Sequence, residues 1–163
     1  MKQLILAAAV ATAFTASFAQ AQDKKPDHEV SFNASVTSDY RYRGISQTRL
    51  KPALQGGADY THNPSGFYAG TWLSTIKWIK DAGGDSDIEW DVYGGKRGEL
   101  GADVTYDVGV LTYVYPSNKL NPSANTTEIY GQLGYGPAYV KYSHSLTNLF
   151  GFVDSEGSGY LDI

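Results

Sequence analysis

The 163-residue chain has no cysteine, and its single methionine is the first residue. Without cysteine it can form neither a disulfide scaffold nor a thiolate metal site. After residue 21 no segment approaches 18 apolar residues, which excludes membrane-spanning helices. The formal net charge of -4 comes with no basic patch for nucleic acid and no acidic tail. Helical membrane proteins, disulfide-rich scaffolds and nucleic-acid-binding proteins are therefore poor descriptions of this chain.

Tyrosine and glycine are abundant instead. The chain has 13 tyrosines, 18 glycines and three tryptophans. Aromatic side chains suit a pleated surface, and glycine supplies the positive φ angles that tight turns require. The composition therefore favours an all-β fold with many turns.

The first 21 residues have the pattern of a cleaved signal peptide. Lys2 gives the positive start, residues 4–14 form a short apolar core, and residues 19–21 read Ala-Gln-Ala, an A-x-A cleavage site. A membrane anchor is the alternative, but the apolar run is too short to cross about 30 Å of hydrocarbon. Residues 22–29 are polar and are predicted to be a leader. Export of a cysteine-free chain fits a bacterial envelope protein.

Residues 30–43 show the alternation on which the fold prediction depends. Even positions are valine, phenylalanine, alanine or tyrosine and odd positions are polar or charged, with Ser38 as the one exception. A period of two places the two sets on opposite faces of a strand, whereas a helix would mix them. Strand one is therefore predicted over residues 30–43.

The same criterion predicts six further strands and the start of an eighth. Their ranges are 52–61, 67–77, 88–93, 103–115, 128–135, 140–146 and 160–163. The faces of the third strand are mixed, so the pattern leaves its orientation open. Residues 78–87 are predicted to be a solvated loop and residues 95–101 a turn, because both segments are rich in glycine and charge.

The connections between these strands alternate between long and short, so the short turns lie at one end of an antiparallel meander. Transmembrane barrels have this asymmetry, with short periplasmic turns and longer outer loops. Strands longer than the usual five or six residues point the same way. Aromatic residues near the strand ends are expected to form two belts at the lipid headgroups. These are Tyr40, Tyr42, Trp78, Trp90, Tyr113 and Tyr115 towards the long loops and Tyr60, Phe67, Tyr68 and Tyr135 towards the short turns. The sequence thus predicts an antiparallel up-and-down transmembrane β-barrel. A soluble sandwich or a periplasmic lipocalin-like barrel has the same period and stays open as an alternative.

Several motifs resemble the TorF-type porin family of Gram-negative bacteria. They are TSDYRYRGISQT at 37–48, KPALQGG at 51–57, SGFYAGTW at 65–72, VYGG at 92–95 and YVYP at 113–116. The resemblance covers most of the chain after the signal peptide. It implies an outer-membrane β-barrel for passive diffusion of small hydrophilic solutes, with outer-membrane lipid as its surroundings. It implies no particular solute.

The resemblance also implies a barrel of about a dozen strands, whereas only about seven and the start of an eighth are predicted here. Residues 30–163 are therefore expected to be the N-terminal part of a barrel. We expect the chain to be a fragment, or to pair with something else, because an open sheet would leave backbone groups unpaired in hydrocarbon.

If the apolar face meets lipid, the charged face lines a pore. The predicted pore-lining residues are Asp39, Arg41, Arg43, Asp59, Glu89, Asp91, Asp107, Glu128, Gln132 and Lys141. Arg41 and Arg43 are predicted to form a constriction opposite Glu89 and Asp91. The excess of carboxylates suggests a mildly cation-preferring lumen. The alternative is that these charges only pair with one another and hydrate the interior.

An enzyme and a non-conducting barrel are the two other functions to consider. A lipid hydrolase would need His144 to activate Ser143 or Ser145, but adjacent residues of a strand face opposite ways, so no enzyme is predicted. His28 and His62 lie in polar segments without metal-ligand spacing, and no cofactor is expected. A non-conducting barrel that anchors or binds a partner is the remaining alternative, and conductance separates it from a porin.

Overall fold

The computed structural model describes residues 25–101 and 103–163. The predicted signal peptide and residues 22–24 of the predicted polar leader lie outside the described residues. The strands are β1 His28–Thr37, β2 Arg41–Tyr42, β3 Ile45–Ser46, β4 Ala53–His62, β5 Phe67–Thr75, β6 Ile88–Glu99, β7 Val104–Val114, β8 Thr126–Tyr135, β9 Ala138–Ser145 and β10 Gly159–Asp162. A one-turn helix, α1 (Trp78–Asp81), and a 3-10 turn (Leu149–Gly151) complete the described elements.

Eight of the strands form one antiparallel sheet in the order β1-β4-β5-β6-β7-β8-β9-β10. Each strand pairs with the next long strand in the chain, which confirms the predicted all-β, up-and-down order. The sheet is open, with β1 and β10 at its two edges. Strands β2 and β3 pair only with each other. None of the helices in the described segments is both long and apolar enough to span a bilayer.

The first strand is shorter than predicted. It begins at His28, inside the predicted leader, and ends at Thr37, directly before Ser38, where the alternation breaks. The following residues turn back on themselves as the β2–β3 hairpin. Its two central residues, Arg43 and Gly44, both have positive φ, at 47° and 81°. A type I′ turn requires this conformation, and it reverses a chain whose alternation alone indicates continuation.

Two further boundaries were predicted wrongly. The predicted turn at 95–101 belongs mostly to β6, which runs to Glu99, and the chain reverses only at 100–103. The predicted loop at 78–87 contains α1, whose Ile79 is completely buried. Glycine content predicts a turn at 95–101, but Gly95 lies inside β6, where a Cβ atom would come within 2.6 Å of the Tyr68 hydroxyl.

The alternation of connection lengths is confirmed. The segments 38–52, 76–87, 115–125 and 146–158 lie at one end of the sheet, and the short turns 63–66, 100–103 and 136–137 lie at the other. We call these the long-loop end and the short-turn end.

The sheet has one apolar and one polar face, and the register carries the predicted parity across the strands. Phe32 pairs with Ala58, Ala58 with Thr71, and Thr71 with Val92, so these residues share the apolar face. This series also assigns the faces of the third predicted strand, because it places Thr71 on the apolar face. Large hydrophobic residues on this face are exposed, among them Phe32 at 80%. The apolar face therefore has no protein layer packed on it in the described residues.

The hydrophobic core lies at the long-loop end, against the polar face. Its buried members are Ile76, Ile79, Tyr113, Tyr115 and Ala124. Aromatic side chains from the connections complete it, namely Tyr40, Tyr42, Trp78 and Phe150. These positions correct the sequence interpretation, which placed Tyr40, Tyr42, Trp78, Tyr113 and Tyr115 in an outward aromatic belt. The four tyrosines pack beneath the loops because their hydroxyl groups find partners there. Trp78 packs its ring against Tyr115, at 5.1 Å between centroids.

Candidate functional site on the polar face

A row of two tyrosines and two glycines crosses four strands of the polar face. Tyr68 pairs with Gly95, Gly95 with Gly109, and Gly109 with Tyr130. A Cβ atom on Gly95 would lie 2.6 Å from the Tyr68 hydroxyl oxygen, and one on Gly109 would lie 2.6 Å from that of Tyr130. The two rings therefore lie over the glycines, and their hydroxyl groups hydrogen-bond each other in the middle. Glycine is required here because any side chain would displace a ring.

Tyrosines also hold the carboxylates of this face. The Tyr68 hydroxyl donates to Asp107 at 2.6 Å, and the Tyr93 hydroxyl donates to Asp59 at 2.7 Å. Tyr93 lies over Gly70 in the same way, since a Cβ atom there would come within 2.5 Å of its ring. A hydroxyl donor satisfies a carboxylate without neutralising its charge. The polar face thus keeps net negative charge at these positions.

Two buried carboxylates lie near the long-loop end. Glu89 is 2% exposed and accepts hydrogen bonds from the hydroxyl groups of Tyr40, at 2.5 Å, and Tyr115, at 2.7 Å. Burial and the Glu89 charge raise the pKa of both tyrosines well above the usual range, so both stay protonated donors. Asp91 follows on the same face, 8% exposed, and its Oδ1 makes no hydrogen bond with the described residues.

The β2–β3 hairpin folds over the polar face and is pinned to it. Arg43 Nη2 lies 2.9 and 3.0 Å from the two carboxylate oxygens of Glu128 on β8. The Arg43 guanidinium also lies over the rings of Tyr42 and Tyr160, at 4.8 and 4.2 Å from their centroids. The hydroxyl groups of Tyr42 and Tyr113 are 2.7 Å apart. The first long connection is therefore an inward-folded segment rather than a free loop.

Asp39 stabilises the base of this hairpin. It accepts hydrogen bonds from Ser46 Oγ at 2.5 Å and from Arg41 Nε at 2.7 Å. These hydrogen bonds, that of Ser46 most strongly, hold the Asp39 pKa below its usual range. The backbone N–H of Gln47 donates to the Tyr40 carbonyl at 2.7 Å, which closes the hairpin.

The predicted constriction is wrong in its pairing. Arg43 contacts Glu128 instead of Glu89 or Asp91, and Arg41 bonds to Asp39 within the connection. The cause is the end of β1 at Thr37, which removes Asp39, Arg41 and Arg43 from the strand where they were predicted. The hairpin turn then carries Arg43 towards β8, while tyrosine hydroxyl groups occupy the Glu89 carboxylate.

The other predicted lining residues lie on the polar face, as the parity requires. Asp59, Glu89, Asp91, Asp107, Glu128, Gln132 and Lys141 share that face through the strand register. Gln132 is paired with Asp107 on one side and with Lys141 on the other. The Lys141 ammonium lies 4.3 Å from the Tyr130 ring centroid.

Sequence reasoning missed the tyrosines that organise the site. Tyr68, Tyr93, Tyr113 and Tyr130 all project from the polar face, where their hydroxyl groups reach charged or polar partners. Part of the signal was present in the sequence, because Tyr93, Tyr113 and Tyr130 share strand parity with carboxylates. The glycines opposite Tyr68, Tyr93 and Tyr130 in the neighbouring strands are visible only in the register of the sheet.

The histidines have ordinary surroundings. His144 lies on the apolar face, opposite to Ser143 and Ser145. His28 Nδ1 lies 2.7 Å from the Tyr60 hydroxyl, and its ring centroid lies 4.9 Å from that of His62. Over residues 25–101 and 103–163, no cluster of three or more histidine, aspartate and glutamate side chains could hold a metal ion.

Comparison with known proteins adds a family. No curated protein and no solved structure matches the chain. A family model described as "Bacterial protein of unknown function (Gcw_chp)" matches residues 21–163, which include every strand and connection described above. The chain therefore belongs to the Gcw_chp family of bacterial proteins of unknown function.

Proposed function

We propose that this chain forms part of the wall of an outer-membrane diffusion channel, a porin for small hydrophilic solutes. The observation that carries the proposal is the exposed apolar face. Val36, Leu54 and Val92, on three different strands, are 72%, 62% and 43% exposed on this face. An exposed apolar area spanning a whole sheet is typical of a surface that meets lipid or a partner. The TorF-type porin resemblance of the motifs supports the same assignment.

The polar face supports the second requirement of a channel, a water-filled interior. It carries carboxylates, tyrosine hydroxyl groups and Lys141, which suit a water-filled interior. The short turns at one end and the long connections at the other fit a periplasmic and an outer side. In a membrane, the proposal requires both sheet edges, β1 and β10, to be paired with each other or with further strands, because unpaired backbone groups are unfavourable in hydrocarbon.

Two tryptophans can test which face of the sheet contacts lipid, because they lie on opposite faces of neighbouring strands. Trp90 lies on the apolar face at 42% exposure, whereas Trp72 lies on the polar face with its ring 5.2 Å from that of Tyr40. Variants that keep one of these tryptophans, with the other and Trp78 changed to phenylalanine, would be reconstituted in bilayers with brominated acyl chains. We expect strong quenching of Trp90 fluorescence and weak quenching of Trp72. Equal quenching of both, or quenching of Trp72 alone, would contradict the proposal.

The β2–β3 hairpin favours a second candidate, a barrel that inserts but does not conduct. The Arg43–Glu128 ion pair and the Tyr42–Tyr113 contact place this hairpin across the polar face. Planar-bilayer recordings of the purified chain separate the two functions. Discrete conductance steps support the porin. Quenched Trp90 fluorescence without such steps supports the non-conducting barrel.

A further inference from the structure

A cavity of about 580 Å³ lies at the long-loop end, and we call it the loop cavity. Its walls come from all four long connections, each of which contributes at least two residues, among them Gln47, Trp78, Tyr115 and Phe150. Its volume falls within the range of small-molecule sites, which is about 300 to 1,000 Å³. Four segments far apart in sequence therefore build one recess of ligand size.

The walls of the loop cavity are apolar, with aromatic and aliphatic side chains side by side. The aromatic residues are Tyr42, Trp78, Tyr115, Phe150 and Phe152, and the aliphatic residues include Ile45, Leu120 and Leu149. The Tyr42 hydroxyl is 2.7 Å from that of Tyr113, and the Tyr115 hydroxyl donates to Glu89 at 2.7 Å. Because both hydroxyl groups have partners in the protein, these tyrosines contribute ring carbon to the recess. Such walls favour a flat aromatic occupant, which can stack or meet their edges.

The charge at the wall is already balanced. Arg43 is the charged lining residue, and its guanidinium forms an ion pair with Glu128 at 2.9 Å. The polar side chains of Gln47 and Asn121 at the wall are neutral. An anionic ligand would have to compete with Glu128 for Arg43. A neutral occupant needs no such exchange.

The wall is held in place before any ligand arrives. Phe150 has a φ of 50°, in the left-handed region that an aromatic residue rarely adopts. Its backbone N–H donates to Thr126 Oγ1 at 2.7 Å, and the preceding N–H of Leu149 donates to Ser155 Oγ at 2.7 Å. Its ring meets those of Tyr42 and Tyr113 edge to face, at 5.7 and 5.2 Å. Backbone strain maintained in this way is a common feature of binding sites.

The volume, the apolar walls and the balanced charge together define the occupant. From these observations we infer that the loop cavity binds a neutral aromatic small molecule. The inference does not depend on channel conduction.

The first test uses 2-acetylnaphthalene as the probe and equilibrium dialysis of the detergent-solubilised chain as the measurement. Ala82 lines the cavity directly after α1 and is exposed, so Ala82→Trp should place an indole ring in the cavity. Val153 is 69% exposed and outside the lining, so Val153→Trp adds the same ring nearby. We expect Ala82→Trp to raise the dissociation constant about tenfold or more and Val153→Trp to leave it unchanged. Equal binding by both variants would overturn the site and would show partition into detergent.

The second test concerns charge. 2-Naphthalenesulfonate keeps the two rings of 2-acetylnaphthalene but is anionic, so it would have to compete with Glu128 for Arg43. We expect it to bind the unchanged chain more weakly than 2-acetylnaphthalene. Tighter binding of 2-naphthalenesulfonate would overturn the inferred ligand class. Neither outcome bears on conductance, so this inference and the porin proposal fail separately.

Discussion

Replacing a strand glycine by alanine should change the free energy of unfolding in opposite directions on the two faces of the sheet. A Cβ on Gly109 would lie 2.6 Å from the Tyr130 hydroxyl and 2.7 Å from the Gly94 carbonyl oxygen. A Cβ on Gly131, on the apolar face, would meet nothing closer than Val108 Cγ1 at 3.9 Å. We expect Gly109→Ala to lower the free energy of unfolding by about 1 to 3 kcal/mol. Gly131→Ala should raise it by about 0.5 to 1 kcal/mol, since alanine restricts the unfolded chain more than glycine.

Urea unfolding of both variants in the same detergent, followed by tyrosine and tryptophan fluorescence, measures the two changes. Gly131→Ala is the matched control because it makes the same substitution in the next strand. Equal effects of the two substitutions would show that the tyrosines do not depend on the glycines beneath them.

The residue scale is also where the sequence was least informative. The composition predicts separate roles for the two abundant residues, with tyrosine as an interfacial anchor and glycine as a turn residue. The structure combines them, with Tyr68 lying over Gly95 and Tyr130 over Gly109. This arrangement depends on which strand positions lie side by side. Register is a tertiary property, and the alternation within one strand does not contain it.

Among the elements, the β2–β3 hairpin is the one whose docking on the polar face can be altered by a single substitution. Arg43 occupies a positive-φ turn position that asparagine adopts more readily. Arg43→Asn should therefore keep the turn but break the ion pair with Glu128, whose side chain is only 4% exposed. Removing one partner of a buried pair is unfavourable by about 3 kcal/mol or more. We expect the hairpin to leave the polar face and single-channel conductance to rise.

Arg41→Asn serves as the control, because it removes the same charge from the same hairpin. The Arg41 side chain is 58% exposed and bonds to Asp39 inside the connection, so its loss should leave conductance nearly unchanged. If both variants raised conductance equally, the effect would come from charge at the mouth and not from undocking of the hairpin.

Acid should loosen the same element. The Asp39 pKa is lowered, chiefly by the Ser46 hydrogen bond, so the ionised carboxylate is the form that stabilises the fold. This stabilisation is complete above the unfolded value, near 3.9, and is lost as the pH falls through the lower folded value. We expect the Gln47 amide, which bonds to the Tyr40 carbonyl, to lose hydrogen-exchange protection below about pH 4.

Asp39→Asn is the control for the acid effect, since its Gln47 amide should show weaker protection with no acid-dependent step. A local measurement is needed because Asp81, Asp85 and Asp87 in the next long connection also have lowered pKa values, through Arg49, Lys119 and Lys80 respectively. Unchanged protection of the Gln47 amide at pH 3 in the unmodified chain would show that Asp39 does not hold the hairpin.

The elements themselves were largely predictable. Alternation located every long strand and assigned the faces of six correctly, because a half-buried strand has a period of two whatever surrounds it. The hairpin was missed because Tyr40 and Tyr42 continue the alternation past Ser38. The Arg43-Gly44 pair that reverses the chain is a weak turn signal compared with Asn-Gly. A local turn overrode a pattern that extended over more residues.

At the scale of the whole molecule, the sheet order and its two ends followed from the sequence, but the surroundings of each face did not. Periodicity separates the faces without saying which one meets protein, water or lipid. The described structure leaves the apolar face uncovered and folds the hairpin onto the polar face. The placement of that hairpin depends on Glu128, which lies 85 residues after Arg43 and has no local sequence signal.

Ion selectivity is the whole-molecule property that the charges of the polar face predict. Asp59 and Asp107 accept hydrogen bonds from tyrosine hydroxyl groups, which do not neutralise their charges, whereas Glu128 is neutralised by Arg43. A water-filled space along this face should therefore favour cations, and the reversal potential in a potassium chloride gradient should have the sign of potassium selectivity. Replacing Asp59 and Asp107 together by asparagine should move it towards zero. Asp154→Asn, in an exposed connection, should not. A reversal potential of the opposite sign, or one unchanged by the double replacement, would mean that these carboxylates do not face the permeating ions.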